Sequence, residues 1–104
     1  MNAIEYLLTK VAEEAAEVAM AAHKATLFGL ENVNPLNPEA GNNRQRLADE
    51  LNDLIAVAKM CAEIGIIPPD WESKDAQCKK AAKVLTWARY SAERGTLNGE
   101  ESIV

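Results

Sequence analysis

What the sequence lacks narrows the field before any motif is considered. Aromatic residues make up only 5% of its 104 residues, too few for the packed interior of a β-sandwich and better suited to close-packed helices. Two cysteines, Cys61 and Cys78, stand far apart with no CxxC spacing. Neither a disulfide framework nor a cysteine-based zinc site is therefore expected, and a reducing cytoplasm is the expected setting. A basic excess is also missing: the formal charge is −5 with a pI near 4.8, which argues against a nucleic-acid partner, since such binders carry a basic footprint. No apolar run reaches membrane-spanning length. Glu5 and Lys10 interrupt the first residues where a signal peptide would need a continuous apolar stretch, so no membrane association or export is expected. Internal repeats and low-complexity tracts are absent as well.

What is present is a chain of ordinary hydrophobic content, 48%, drawn mainly from Ala, Leu, Ile and Val. Its length suits one domain, expected over residues 1–95 with a C-terminal tail over 96–104. The apolar positions recur near every 3.6 residues and predict an all-α fold of three amphipathic helices. The first spans about Asn2 to Phe28, with Ile4, Leu7, Leu8, Val11, Ala15, Val18, Ala22 and Ala25 on one face and Gly29 closing it. Residues 29–43 hold Pro35, Pro38, Gly41 and five asparagines. They predict a loop long enough to suggest function in so small a domain. Asn42 or Asn43 can cap the second helix, which runs to about Ile64 and buries Leu47, Leu51, Leu54, Ile55, Ala58 and Cys61. Gly65 and Pro68-Pro69 end it. Asp70 or Ser73 caps the third, which continues to Glu93 or Arg94 with Ala81, Val84, Leu85, Ala88 and Ala92 inward. Three such stripes exceed what one chain covers, so a partner subunit is expected to complete a four-helix core, as a homodimer or homotetramer.

The first two helices carry the chemistry. One reads Glu13-Glu14-Ala15-Ala16-Glu17, the other Glu50-Leu51-Asn52-Asp53. In each, an acidic pair three residues apart projects from one side, at the edge of the apolar stripe. Antiparallel packing through those stripes would bring Glu14, Glu17, Glu50 and Asp53 into one small volume. Carboxylates so placed repel one another unless a counter-charge intervenes. An all-oxygen set selects Mg²⁺, Mn²⁺ or Ca²⁺ over zinc. A di-iron carboxylate bundle is disfavoured, because its Glu-x-x-His pairs have no counterpart around the single histidine, His23. The competing possibility for each acidic pair alone is a solvated helix face.

The third helix carries Lys80, Lys83, Trp87, Tyr90, Ser91 and Arg94 along one side. Cations beside aromatics and a hydroxyl suit a phosphate chain and a nucleobase, although snorkelling surface cations give the same pattern. Tyr6, Lys10 and Lys24 lie near the acidic side of the first helix, and Lys24 is either a further substrate contact or a surface partner of Glu17.

Taken together, KVAEEAAEVAMAAHKA followed by RLADELNDLIAV resembles the MazG-like, all-α nucleoside triphosphate pyrophosphohydrolases, whose signature is EExxE on one helix and ExxD on the next. The resemblance covers roughly residues 4 to 64. KKAAKVLTWARYS also looks like the closing helix of small members borne by phages and bacteria. What the resemblance implies is a MazG-like helical bundle built by oligomers. It also implies Mg²⁺-dependent conversion of a (deoxy)nucleoside triphosphate and water to the monophosphate and pyrophosphate, with Mn²⁺ able to substitute. Carried over by position, Glu14, Glu17, Glu50 and Asp53 would bind metal, and Glu13 or Glu14 would serve the attacking water. The roles of such enzymes are nucleotide-pool control or supply of a monophosphate in the cytoplasm. The string EEAAEV occurs also in phosphoribosyl-ATP pyrophosphatases, but their second helix usually has Tyr-His after Asp-Leu-Leu, where this chain reads Asp53-Leu54-Ile55-Ala56-Val57. All-α dUTPases are further relatives and generally longer. A non-catalytic helical interaction module is the alternative of another class.

Overall fold

The computed structural model describes residues 1–98, so residues 99–104 of the expected tail lie outside it. The fold is all-α. Three helices follow one another: α1 (Ala3–Phe28), α2 (Asn43–Glu63) and α3 (Lys74–Glu93). A short 3-10 turn at Pro38–Ala40 lies between the first two. Among the described residues there is no strand, only one antiparallel bridge between Val33 and Asn42. No helix among them is long and apolar enough to cross a membrane.

Each helix begins where a short polar side chain replaces a missing intrahelical acceptor. Asn2 Oδ1 accepts from Glu5 N at 2.9 Å, Asn42 Oδ1 from Gln45 N at 2.9 Å, and Ser73 Oγ from Ala76 N at 3.1 Å. Of the paired candidates, Asn42 and Ser73 are therefore the caps. Asn43 is already helical, and its freed side chain donates to Gly29 O at 2.8 Å. The α2 C-terminus uses Gly65 at φ +80°, which lets Ile66 N reach back to Cys61 O at 2.9 Å. A side chain at that φ would be strained.

The chain forms two compact units, one of residues Met1–Pro69 and a second beginning at Asp70. The first is an antiparallel hairpin of α1 and α2. Its seam runs through Leu7, Val11, Glu14, Val18, Ala21 and Ala25 on α1, and Asn43, Leu47, Glu50, Leu54, Val57 and Cys61 on α2. All of these are buried or half-buried. Both series step by four and three in alternation, the spacing by which side chains of adjacent helices interlock. The 29–42 connection is stitched to the start of α2. Asn43 N donates to Asn32 O and Arg44 N to Leu30 O, both at 3.0 Å. Glu31 accepts from Arg44 Nη2 at 2.7 Å and from Asn42 Nδ2 at 3.2 Å.

The apolar faces expected to be buried are only partly so. Leu7, Val11, Val18 and Ala25 face the seam, but Ile4, Leu8, Ala15 and Ala22 are exposed, as are Leu51 and Ile55 of α2. A stripe about 100° wide is broader than one neighbouring helix can cover. Within the second unit, α3 has no buried residue: Leu85 and Ala88 are half-buried, while Ala81, Val84 and Ala92 are exposed.

Candidate metal centre

Midway along the seam the interlocking series places acids where aliphatic side chains would normally sit. Carboxylate oxygens of Glu14, Glu50 and Asp53 all lie within 4.8 Å of one another. Sequence spacing put the two acidic pairs beside the apolar stripe. In the structure Glu14 and Glu50 are members of the seam itself, while Asp53 stands at its exposed side. The difference arises because the seam follows the 7-11-14-18 series of α1 rather than the centre of its broad apolar face.

One oxygen of each seam acid, Glu14 Oε2 and Glu50 Oε2, is buried with no hydrogen-bond partner. Burial of a carboxylate penalises its charged form. Loss of solvent raises the Glu14 carboxyl above its ordinary value, the neighbouring Glu17 adds to the rise, and Asp53 contributes less. Glu50 is raised in the same way, first by desolvation, then by Glu17 beside it, then by Asp53 and Glu14. Glu17 thus stands against both seam acids although it lies outside the tight trio, and all four expected carboxylates share one neighbourhood.

Buried oxygens without donors are a strained arrangement unless they take up protons or a cation. The donor set is all oxygen, which fits a hard divalent ion. Oxygens of one Mg²⁺ shell, at about 2.1 Å from the ion, are up to about 4.2 Å apart. The trio is therefore a small side-chain adjustment from sharing a cation.

Glu13 has a different environment. It is exposed and accepts from Lys10 Nζ at 2.9 Å, an ion pair that raises the Lys10 ammonium. Lys10 also lies 5.5 Å from the centre of the Tyr6 ring. Lys24 lines a cavity of about 290 Å³ together with Glu17, Glu50, Asn34, Asn43 and Arg46. A second cavity of about 300 Å³ is lined by Lys24, Asn34 and Asn43 again, with Phe28, Asn32 and Pro35.

Lys80, Lys83, Trp87, Tyr90 and Arg94 belong to α3 in the second unit. There the Trp87 and Tyr90 rings meet edge to face, 5.6 Å between centres, and the Arg94 guanidinium lies 5.9 Å from the Tyr90 ring centre. Lys80, Lys83 and Trp87 are exposed.

The sequence does not single out the cavity-lining Arg46, Asn34 and Asn43 as functional residues, although Arg46 opens the RLADELNDLIAV string and Asn43 is a cap candidate. The asparagine-rich run leading into α2 is the signal for Asn34 and Asn43, while Arg46 lies one turn inside the helix. No protein-family model, curated protein or solved structure matches the chain.

Proposed function

We propose that the protein is a Mg²⁺-dependent hydrolase that converts nucleoside triphosphates to monophosphates and pyrophosphate, acting as a homo-oligomer. The observation that carries this reading is the pair of donorless buried oxygens on Glu14 and Glu50, grouped with Asp53 and beside Glu17, with Glu17 and Glu50 also lining a cavity that holds Lys24 and Arg46. A hairpin stabilised by packing alone has no use for two acids in its seam. An acid cluster that holds a cation does.

Glu14, Glu17, Glu50 and Asp53 are the residues that would hold the ion. When bound, such an ion neutralises phosphate charge and lowers the pKa of a coordinated water. The chain's own contribution is positional. The seam fixes Glu14 and Glu50 on two rigid helices, so their oxygens need little rearrangement as charge develops on the substrate. Glu13, one residue along α1, accepts a proton from the attacking water. The water oxygen bonds to phosphorus as the α–β anhydride bond breaks, and the electron pair leaves with pyrophosphate. Lys10, ion-paired with Glu13, steadies that carboxylate in position.

Ile4, Leu8, Leu51 and Ile55 give the hairpin an apolar side that a second copy would cover, completing a four-helix core. Mn²⁺ titration by calorimetry tests the centre directly. Wild type is expected to bind Mn²⁺ and to release pyrophosphate from members of a triphosphate panel. Glu50→Gln is expected to lose both while remaining helical. Absence of Mn²⁺ uptake by the wild-type protein sinks the reading.

A further inference from the structure

We infer that the asparagine-rich connection between α1 and α2 is the substrate seat, with the triphosphate lying along Arg46 and Lys24 and the base held by Phe28, Asn34 and Asn43; this deepens, and rests on, the proposed hydrolysis.

The two cavities beside the connection differ in chemistry and share a wall. The first holds the acids Glu17 and Glu50 with the cations Lys24 and Arg46. The second has no acid and is lined instead by Phe28 and Pro35, while Lys24, Asn34 and Asn43 border both. A charged cavity that shares Lys24, Asn34 and Asn43 with one holding a phenyl ring, a proline and amides matches a molecule with a polyanionic part and a flat, weakly polar part, and the volumes suit small ligands.

The cations are available. Among the described residues Arg44 is engaged by Glu31, Lys10 by Glu13 and Lys79 by Asp75, whereas Arg46 and Lys24 form no ion pair. Half-buried Arg46 faces the same cavity as two acids yet bonds neither, the position of a donor kept for a phosphate oxygen. The first backbone N–H groups of α2 supply no substitute, because the connection and Asn42 already occupy them.

The shared amides are held in fixed orientations. Asn43 Nδ2 donates to Gly29 O, which leaves its Oδ1 as an acceptor. Asn34 Oδ1 accepts from Leu36 N at 2.9 Å, which leaves its Nδ2 as a donor. One acceptor and one donor in the same wall suit the hydrogen-bonding edge of a nucleobase. Phe28 is 62% exposed, so its ring is open for stacking rather than spent in packing.

The test is calorimetric titration of an α,β-methylene nucleoside triphosphate, beside inorganic tripolyphosphate, with and without Mn²⁺. Arg46→Gln is expected to weaken both ligands by about tenfold or more, with partial recovery in Arg46→Lys. Phe28→Ala and Asn34→Leu are expected to weaken the nucleotide by about tenfold while leaving tripolyphosphate unchanged. All four variants should keep the wild-type Mn²⁺ affinity. Should Arg46→Gln fail to fold by circular dichroism, Lys24→Gln takes its place and is expected to weaken both ligands to the same extent. The seat is overturned if the nucleotide does not bind, if it binds no more tightly than tripolyphosphate, or if Phe28→Ala and Asn34→Leu bind it like wild type. Loss of Mn²⁺ binding in the wild type is a separate failure, that of the metal centre, and the metal-free titrations then still decide on Arg46, Phe28 and Asn34.

Discussion

Two stretches of one seam follow the same spacing and have opposite needs. Toward the end away from the connection, Leu7 is 8% exposed and Cys61 1%. These are apolar side chains whose only requirement is to be covered. About two turns along α1 and three turns back along α2, Glu14 and Glu50 also occupy seam positions, with buried oxygens that no group satisfies. Covering a Leu stabilises the hairpin, whereas covering a carboxylate destabilises it until something positive arrives. The contrast separates residues that make the fold from residues the fold holds at a cost, a pattern expected where function departs from packing rules.

Neutralising the acids is expected to have the largest effect. Glu14→Gln, Glu17→Gln, Glu50→Gln and Asp53→Asn are each expected to lower Mg²⁺-supported pyrophosphate release by about a hundredfold or more, since metal-ion stabilisation is worth several kcal/mol of barrier. If these variants unfold but keep their specific activity, the acids are structural. Glu13→Gln, off the seam, is expected to lower kcat by about tenfold or more with little change in KM or Mn²⁺ affinity. Its melting temperature should stay at the wild-type value, because exposed ion pairs such as Lys10–Glu13 contribute little to stability. Wild-type kinetics in Glu13→Gln would assign the residue to the surface.

At the apolar stretch the sign of the stability effect reverses. Leu7→Ala is expected to cost about 2 kcal/mol or more in denaturant unfolding, through lost burial and the cavity left behind. Glu14→Gln should instead raise the melting temperature of the metal-free protein by a few degrees. A fall would mean that the seam acids are satisfied after all. The smallest effect is the pH trend. Glu14 and Glu50 bind protons more tightly in the folded chain than in the unfolded one. The metal-free protein is therefore expected to be more stable below the ordinary carboxylate value and to lose that increment as pH rises through the raised values. Thermal melts across a mildly acidic series check this, and saturating Mn²⁺ should abolish the trend.

Much of this was legible in the sequence, for identifiable reasons. Helix limits follow local rules, so Asn2, the Asn42–Asn43 pair, Ser73 and the closing glycines marked them within a residue or two. The i, i+3 acidic pairs were equally local, and antiparallel packing was enough to bring Glu14 near Glu50 and Asp53. What could not be read was which side of a broad apolar face meets the neighbour. That choice moved Glu14 and Glu50 into the seam and left Ile4, Leu8, Leu51 and Ile55 outside. Nor could spacing show the bonds of Glu31 to Arg44 and of Asn43 to Gly29. These contacts span 13 and 14 residues and leave no periodic trace. Arg46 is hidden for the same reason, since its distinction is the partner it does not have.

The stitching of the connection to α2 has a consequence for exchange with solvent. The opening amides of a helix ordinarily trade their hydrogens fastest, having no acceptor one turn earlier. Here Asn43 N and Arg44 N are held by Asn32 O and Leu30 O, and Gln45 N by the Asn42 side chain. In deuterated water, the first turn of α2 should thus retain its label-free amides longer than the first turns of α1 and α3. Breaking the Glu31 clamp, as in Glu31→Ala, should bring that turn to the faster pace of the other two.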